Sequence, residues 1–414
     1  MSTPFHLGRK LKVLMLVNGF PTIENPSNNV FNFRAAKALN ELVDLRVIHL
    51  RVWRPGRKFD ELVPYEGIQR RILAFPMGIM TGVKPLDNTI TAWDVYVTHI
   101  LGQRWAREWI SECDLIHSVC VSYSGIVGGH WANRFRKHHV TQAIGKDIHS
   151  EMKEMKSWRT IRGWNKNLQG VSCNSQALVD DFLLTYPGTP NVKAIYRGVD
   201  SNHYRPDGER AGPLSEIPNP IRYLFVGGLA NFAGGFGTNK KGGETLMAAW
   251  KLAEDKPELQ NSTLLFAGPK VDSNRVEEWR KELKYPDRVY IGGLIAPSDM
   301  PKIMRSADVL LLPSLVEGTP NVALEASASG CAVFGSDVGG TPEIVAHGET
   351  GIILPPGDVQ AWSKVLIEYS NKPERISEMG KAARERMVAK FDKKHFATNI
   401  LSLYETAMQI PFEG

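Results

Sequence analysis

PSLVEGTPNVALEASASG, residues Pro313 to Gly330, carries the deciding pattern. The apolar run ADVLLLPS ahead of it reads as a buried strand ending at Pro313. A Gly-Thr-Pro turn then leads straight into a helix through VALEASASG. Pro320 fits the first helical turn, where its missing N–H would have no partner anyway. The free N–H groups of Asn321, Val322 and nearby residues then point out of the helix start. With the helix dipole they suit a phosphate group. Glu317 precedes the turn, and Glu325 lies about a turn and a half into the helix. Two carboxylates flanking an anion site are better suited to accept hydrogen bonds from hydroxyls, such as those of a ribose and a sugar. A capping box between Ser314 and Glu317 fails, because Gly318 and Pro320 lie where its helix should already run.

The same strand-then-helix alternation extends outward in both directions and predicts an α/β protein with mainly parallel sheets. Before the linker come the strands KVLMLVN, LRVIHLRV, DLIHSV, HVTQAIG and GVSCNS, with helices through FNFRAAKALNEL and IVGGHWANRFRK. After it the pattern restarts with IRYLFVGG and continues through STLLFAG, RVYIGG, ADVLLLPS, CAVFGSD and TGIILP to helices over about 361–409. The stretch Gly198 to Pro220 is rich in Pro, Gly and charge and reads as the interdomain linker. The expected division is a first domain over 1–205, a linker over 206–219, and a second domain over 220–390. A helix over 391–414 is expected to pack back on the first domain. Two doubly wound, Rossmann-like domains facing a cleft are the economical architecture.

The chain has 414 residues, past the size at which one core keeps growing, so two domains are the default. At 43% hydrophobic and 23% charged it is an ordinary globular sequence, neither disordered nor collagenous. No run approaches the ~18 apolar residues of a membrane span. LKVLMLV, which carries Lys12, reads as a first strand and not as a signal peptide. Cys113, Cys120, Cys173 and Cys331 share no CxxC spacing, which argues against a disulfide framework and a Cys-type zinc site and fits a reducing cytoplasm. Residues 1–215 hold 28 Lys+Arg against 19 Asp+Glu, or +9; the remaining 22 against 25 give −3, for a net charge of +6. That imbalance is either an uneven solvated surface or a face for an anionic acceptor or an anionic membrane.

Pro313 to Asp358, PSLVEGTPNVALEASASGCAVFGSDVGGTPEIVAHGETGIILPPGD, resembles the retaining GT-B glycosyltransferases of family four, and the resemblance runs over almost the whole chain. Glu317 and Glu325 reproduce that family's E-x7-E spacing. Further similar pieces are GVDSNHYRP, LLFAGPK, VYIGGLIAPSDMPKIMRSADVLLLPS and GGTPEIV. The resemblance implies that Glu325 holds the donor ribose and that Glu317 lies near the donor sugar. It implies that the backbone of Gly318, Thr319, Pro320, Asn321 and Val322 lines the diphosphate site, with N–H groups serving the phosphates. Lys241, in NKKGG, matches the family's Lys-Gly and would neutralise the diphosphate. Gly228 stands where most members carry Arg, and Lys240 could supply the missing charge. The insertion NFAGGFGTN would form a loop over the phosphates. In the first domain Asn29 stands where the opening loop's Gly is expected, with Gly19 nearby at the donor side. Gly145 and Asp147 match the family's H-G-x-D segment, whereas Ile144 replaces its His. Asp147 could orient acceptor or donor sugar, or cap a helix. His117 and His149 read as structural.

GGFGTNKKG does not satisfy GxGxxG, which disfavours a dehydrogenase. The chain has no D-x-D triplet, so metal-independent chemistry without a cofactor is expected, with lysines and helix N–H groups in the place of Mg²⁺. Ile90 to Ile110 sets Trp93, Val97, Ile100, Leu101, Trp105 and Ile110 at roughly helical spacing with Arg104 and Arg107 between them. This is either core or a basic amphipathic face on a membrane. RFRKHH reads as a solvated helix end; no RNA motif or stacking platform accompanies it, so no nucleic acid partner is expected. The resulting expectation is a retaining transfer from a nucleoside diphosphate sugar to a glycan or lipid-linked acceptor in polysaccharide, glycolipid or envelope synthesis. The enzyme would be cytoplasmic, on the inner face of the membrane. Two alternatives share these motifs: a sugar-nucleotide epimerase, and a non-catalytic protein that binds nucleotide sugar.

Overall fold

Strands built from unbroken apolar runs end up buried on both faces, as parallel strands flanked by helices must be. In the computed structural model, which describes residues 9–23, 28–76, 84–152, 162–217, 221–227, 240–268 and 274–412, the chain forms two compact units. The first comprises residues 1–197 and 394–414, the second residues 198–393.

The first unit holds β1 (Lys12–Val17), β2 (Asp44–Val52), β3 (Asp60–Leu62), β4 (Gln69–Phe75), β5 (Leu115–Val119), β6 (His138–Ala143), β7 (Leu168–Cys173) and β8 (Val192–Ala194). They form one sheet in the order β3-β4-β2-β1-β5-β6-β7-β8, parallel except for the β3–β4 pair. β1 shows the period of two. Leu14 and Leu16 join one core with Ile126 and Trp131, whereas Val13, Met15 and Val17 join another with Phe33, Ala36 and Phe396. The helix Lys393–Met408 buries Phe396, Ile400, Leu403 and Tyr404, an i, i+4, i+7, i+8 stripe, in that second core. The Tyr404 hydroxyl sits 2.6 Å from His117 Nδ1.

The second unit holds β9 (Ile221–Val226), β10 (Ser262–Ala267), β11 (Val289–Gly293), β12 (Val309–Leu312), β13 (Ala332–Ser336) and β14 (Gly351–Leu354), in a parallel sheet ordered β11-β10-β9-β12-β13-β14. Every residue of β10, β12 and β13 is buried. The order reverses between β9 and β12, and in the first sheet between β1 and β5. Such switch points leave crevices at the carboxyl ends of the strands.

The domain boundary differs from the composition-based one. The break falls after Arg197, not at 205, because the aperiodic stretch from Gly198 onward packs on the second unit. Val199 N–H donates to the Phe391 carbonyl at 2.8 Å, and Lys393 N–H donates to the Val199 carbonyl at 2.8 Å. Arg384 donates to the carbonyls of Ser201, Tyr204 and Ala328 at 2.8–2.9 Å. Leu214 is buried. β3 and β4 also lie outside the sequence expectation. In β4 the arginines mask the strand: Arg70 is buried and caps the carbonyls of Val63 and Pro21.

The Trp-rich stretch divides its roles. Trp105 stacks on Phe75 with centroids 5.3 Å apart, and Ile110 is core. Farther up the helix Lys84–Trp105, Trp93 is 61% exposed and Tyr96, Ile100 and Leu101 are also exposed. Among the described residues no helix is long and apolar enough to cross a membrane, and all four cysteines are buried free thiols.

Candidate active site

The switch point of the second sheet gathers the loop after β9 and the loop after β12. Lys241 follows the first of these and Glu317 the second. Lys241 Nζ donates to Glu317 Oε1 at 2.5 Å, with the carboxylate side chain 9% exposed and the lysine 42%. Ser314 Oγ donates to the same Oε1 at 2.8 Å. The two loops are also tied by backbone, since Leu315 N–H donates to the Lys240 carbonyl at 2.8 Å. The Lys240 residue is itself exposed.

Two glycines allow this approach. Gly242, at φ +68°, lies against Pro313 so closely that a Cβ would stand 1.7 Å from the Pro313 carbonyl oxygen. Gly339, at φ +53°, lies against Glu317, where a Cβ would come within 2.2 Å of the carbonyl oxygen. Beside it the Gly340 N–H donates to the Gly318 carbonyl at 2.6 Å. The GGTP segment therefore buttresses the Glu317–Gly318 backbone from behind.

The helix begins one residue later than the sequence suggests. Pro320 takes an extended conformation (φ −74°, ψ 104°) and serves as N-cap of the helix Asn321–Ala328. Its carbonyl accepts from the N–H groups of Ala323 and Leu324. The Asn321 and Val322 N–H groups precede the first intrahelical bond, the position from which amides bind anions. Thr319 and Glu325 are partly buried, Glu325 on the first turns of this helix. The structure thus brings Lys240, Lys241, Glu317, Gly318 and the Asn321–Ala328 start together in one unit. Gly228 and the insertion at 231–239 lie outside the described residues.

In the first unit Asp147 is fully buried. Its carboxylate accepts from the N–H groups of Val121, Ile144, Gly145 and Ile148 at 2.8–3.2 Å. Burial raises its pKa above the ordinary carboxylate value, while these N–H groups oppose the shift. The group pins the ends of β5 and β6 and has its lone pairs engaged by backbone, which is the work of a positioning residue. Gly19 and Asn29 interlock. Asn29 occupies the left-handed region at φ +48°, and its Nδ2 lies where a Gly19 Cβ would be, 2.1 Å from that position. Asn32 Nδ2 donates to the Gly19 carbonyl at 2.8 Å. His149 pairs with Asp181, and Lys137 of the basic cluster caps the carbonyls of Ser111 and Cys113. Among the described residues no group of three or more His, Cys, Asp or Glu side chains could hold a metal ion.

The chain is similar to known proteins in both sequence and fold. The family profile described as "Glycosyl transferases group 1" matches residues 232–386, a span that contains Lys241, Glu317 and Gly339. The D-inositol 3-phosphate glycosyltransferase of Corynebacterium aurimucosum is 30% identical over 370 residues, covering 84% of this chain and 80% of that protein. The chain belongs to the group 1 glycosyltransferases. The D-inositol 3-phosphate glycosyltransferase of Corynebacterium efficiens is 30% identical over 258 residues, 60% of this chain; the match spans only about 59% of that relative's length. Anabaena HepE in complex with UDP superposes with a TM-score of 0.66 at 19% identity, covering 96% of this chain and all of that one. This glycosyltransferase therefore has the GT-B fold, with two Rossmann-like units.

Sequence reasoning reached Glu317, Lys241 and the helix start. It set Ser314 aside with the capping box and passed over Gly242 and Gly339. The glycines carried a signal in NKKGG and GGTP, motifs in which the second glycine follows a residue whose backbone must meet another loop.

Proposed function

We propose that this chain transfers a sugar from a nucleoside diphosphate sugar to an acceptor hydroxyl, with retention of anomeric configuration and without a metal ion. The observation that carries the reading is the Lys241–Glu317 pair beside the open start of the helix Asn321–Ala328. The ammonium has three N–H groups, of which one serves Glu317; the others suit diphosphate oxygens. With Lys240 and the Asn321 and Val322 amides they offset the charge that grows on the leaving group. Electrostatic stabilisation of this kind commonly supplies more of the rate enhancement than any other effect. Glu325 accepts from the donor ribose, and Glu317 lies near the donor sugar. The bond from the anomeric carbon to the diphosphate breaks as the bond to the acceptor oxygen forms on the same face. The acceptor proton passes to the departing phosphate.

HepE's complex with UDP supports a uridine donor. The D-inositol 3-phosphate relatives and the +9 charge of residues 1–215 support an anionic acceptor, a glycan or lipid-linked one. The exposed Trp93, Tyr96 and Ile100, near Arg104 and Arg107, support contact with the inner face of the membrane.

A thermal-shift panel of UDP, GDP, ADP, dTDP and CDP tests the donor site. A nucleotide at ~100 times its dissociation constant stabilises by about 2.7 kcal/mol. One nucleotide should raise the melting temperature of the wild type and fail to do so for Lys241→Ala and Glu325→Ala. No shift with any nucleotide would overturn the reading. Proton NMR of the first-formed product, with EDTA present throughout, tests retention and metal independence together.

A further inference from the structure

Arg197 is the last residue of the first unit before the chain enters the second, and its side chain rests on a helix of the first unit. The guanidinium rests on the ring of Phe31, 4.3 Å from Cζ to the centroid. Phe31 belongs to the first turn of the helix Val30–Asn40, which among the described residues starts from Asn29 without a side-chain cap. Cys120, just after β5, holds φ +92°, a conformation that side-chain-bearing residues rarely keep without a cause. Arg197, the Val30 turn and Cys120 all stand at the switch point between β1 and β5.

Among the described residues Arg197 donates no hydrogen bond and forms no ion pair, although it is partly buried. Burial pushes its pKa down to about 10, with Asp147 and Cys120 acting against the shift. Asp147 does not meet it directly, because that carboxylate is committed to four backbone N–H groups. A guanidinium partly withdrawn from water and without a protein partner among the described residues is a costly group, and a bound anion offsets the cost. Its planar fork of donors matches two oxygens of one phosphate, and an open helix start adds N–H groups and a favourable dipole. The ring of Phe31 fixes the fork's plane.

We propose that Arg197, stacked on Phe31 beside the open turn at Val30, anchors a phosphate subsite in the first unit that takes a phosphoryl group of the acceptor. The proposal rests on the transferase reading above and deepens it. The donor diphosphate has its own cations, Lys240 and Lys241, in the second unit. A phosphomonoester on a soluble polyol and one on a lipid headgroup present the same oxygens, so both are admissible sources.

The test is calorimetric titration of inorganic phosphate into the full chain already saturated with UDP, for the wild type, Arg197→Gln and Arg197→Lys. Losing a charge-assisted bidentate contact should weaken phosphate at least roughly tenfold in Arg197→Gln. Arg197→Lys should recover only part of the affinity, and UDP affinity should stay unchanged in both variants. Hexose 6-phosphate and vesicles of phosphatidylcholine with and without phosphatidic acid form the two further arms. Dependence on Arg197 in either arm supports the subsite and names its source. Phosphate binding that is equal in wild type and Arg197→Gln, or that UDP abolishes in the wild type, overturns the proposal. Failure of the wild type to bind any nucleotide overturns the transferase reading instead.

Discussion

Lys241 and Glu317 stand 76 residues apart in sequence and share one hydrogen bond of 2.5 Å, on the carboxylate oxygen that Ser314 also reaches. The carboxylate, in the loop ahead of the helix Asn321–Ala328, holds the ammonium, so on the proposed reading the cation is in place before a donor binds. Removing a group of this kind costs about 10²-fold or more in turnover. Lys241→Ala should show that loss in steady-state release of nucleoside diphosphate. Glu317→Gln should lose less than the alanine variant through the lysine, because the amide still accepts from Ser314 and Lys241. The double variant should fall short of the product of the two singles, since both act through one contact. Near-normal turnover in Lys241→Ala would sink the assignment.

The close approach of Gly242 to Pro313 makes a second prediction, on stability. At φ +68° any side chain strains the backbone by roughly 1–2 kcal/mol. A Cβ there would also collide with the Pro313 carbonyl. Gly348 is the control: its φ is +78°, and nothing lies within 4 Å of a Cβ. Gly348→Ala should lower the melting temperature by roughly 2–4 °C for each kcal/mol of strain. Gly242→Ala should lower it at least twice as far and should also reduce nucleotide binding. Equal shifts for the two variants would show that the contact with Pro313 is slack.

What the sequence disclosed follows from range. β1, β10, β12 and β13 were legible because parallel strands buried on both faces are apolar over most of their length, with Lys12, Ser262, Thr263 and Ser336 confined to their ends. The helix Lys393–Met408 was legible because its buried residues recur every three to four positions. β4 was not, since Arg70 and Arg71 break its apolar run and their partners lie in other segments. At the site, the strand–turn–helix pattern pointed to Glu317 and the family resemblance to Lys241, separately. Their contact depends on two loops meeting at a sheet's switch point, which no local pattern reports. Asp147 reads as an available carboxylate until its partners prove to be backbone N–H groups, which the letters do not encode. Arg197, one residue ahead of the charged stretch that opens at Gly198, carries no signal of its own, because the ring beneath it, Phe31, is far away in the chain.

Asn29 and Gly19 yield a third prediction. Asn is among the side-chain-bearing residues that best tolerate the left-handed region, and Asn29 adopts it while its amide fills the space above Gly19. The two positions are therefore coupled. Gly19→Ala alone should destabilise the first unit and disturb the opening loop. Adding Asn29→Gly empties the space and should restore most of the lost melting temperature. A double variant no more stable than Gly19→Ala would refute the coupling.

Buried histidines set the acid limit of the first unit. Burial lowers the pKa of His49 to about 3, with Arg70 and Arg51 adding to the effect. It lowers His99 to about 4, with His130 and Arg134 nearby, and His117 to about 4. His139, facing His117 and His130, falls to about 3. Each folded-state value lies below the ~6.5 of an unfolded histidine, so the unfolded chain takes up protons first. The stability contributed by neutral burial is complete above about pH 6.5 and is lost as pH falls toward 4–3. All four residues lie in the first unit and the sheet of the second has no counterpart among them. Calorimetric scans from pH 7 to pH 4 should therefore show the first unit's transition moving to lower temperature while the second moves less, until one peak becomes two. His117→Gln, which keeps a polar group beside the Tyr404 hydroxyl but cannot be protonated, should flatten the first unit's slope. A single transition at every pH, or an unchanged slope in that variant, would refute the account.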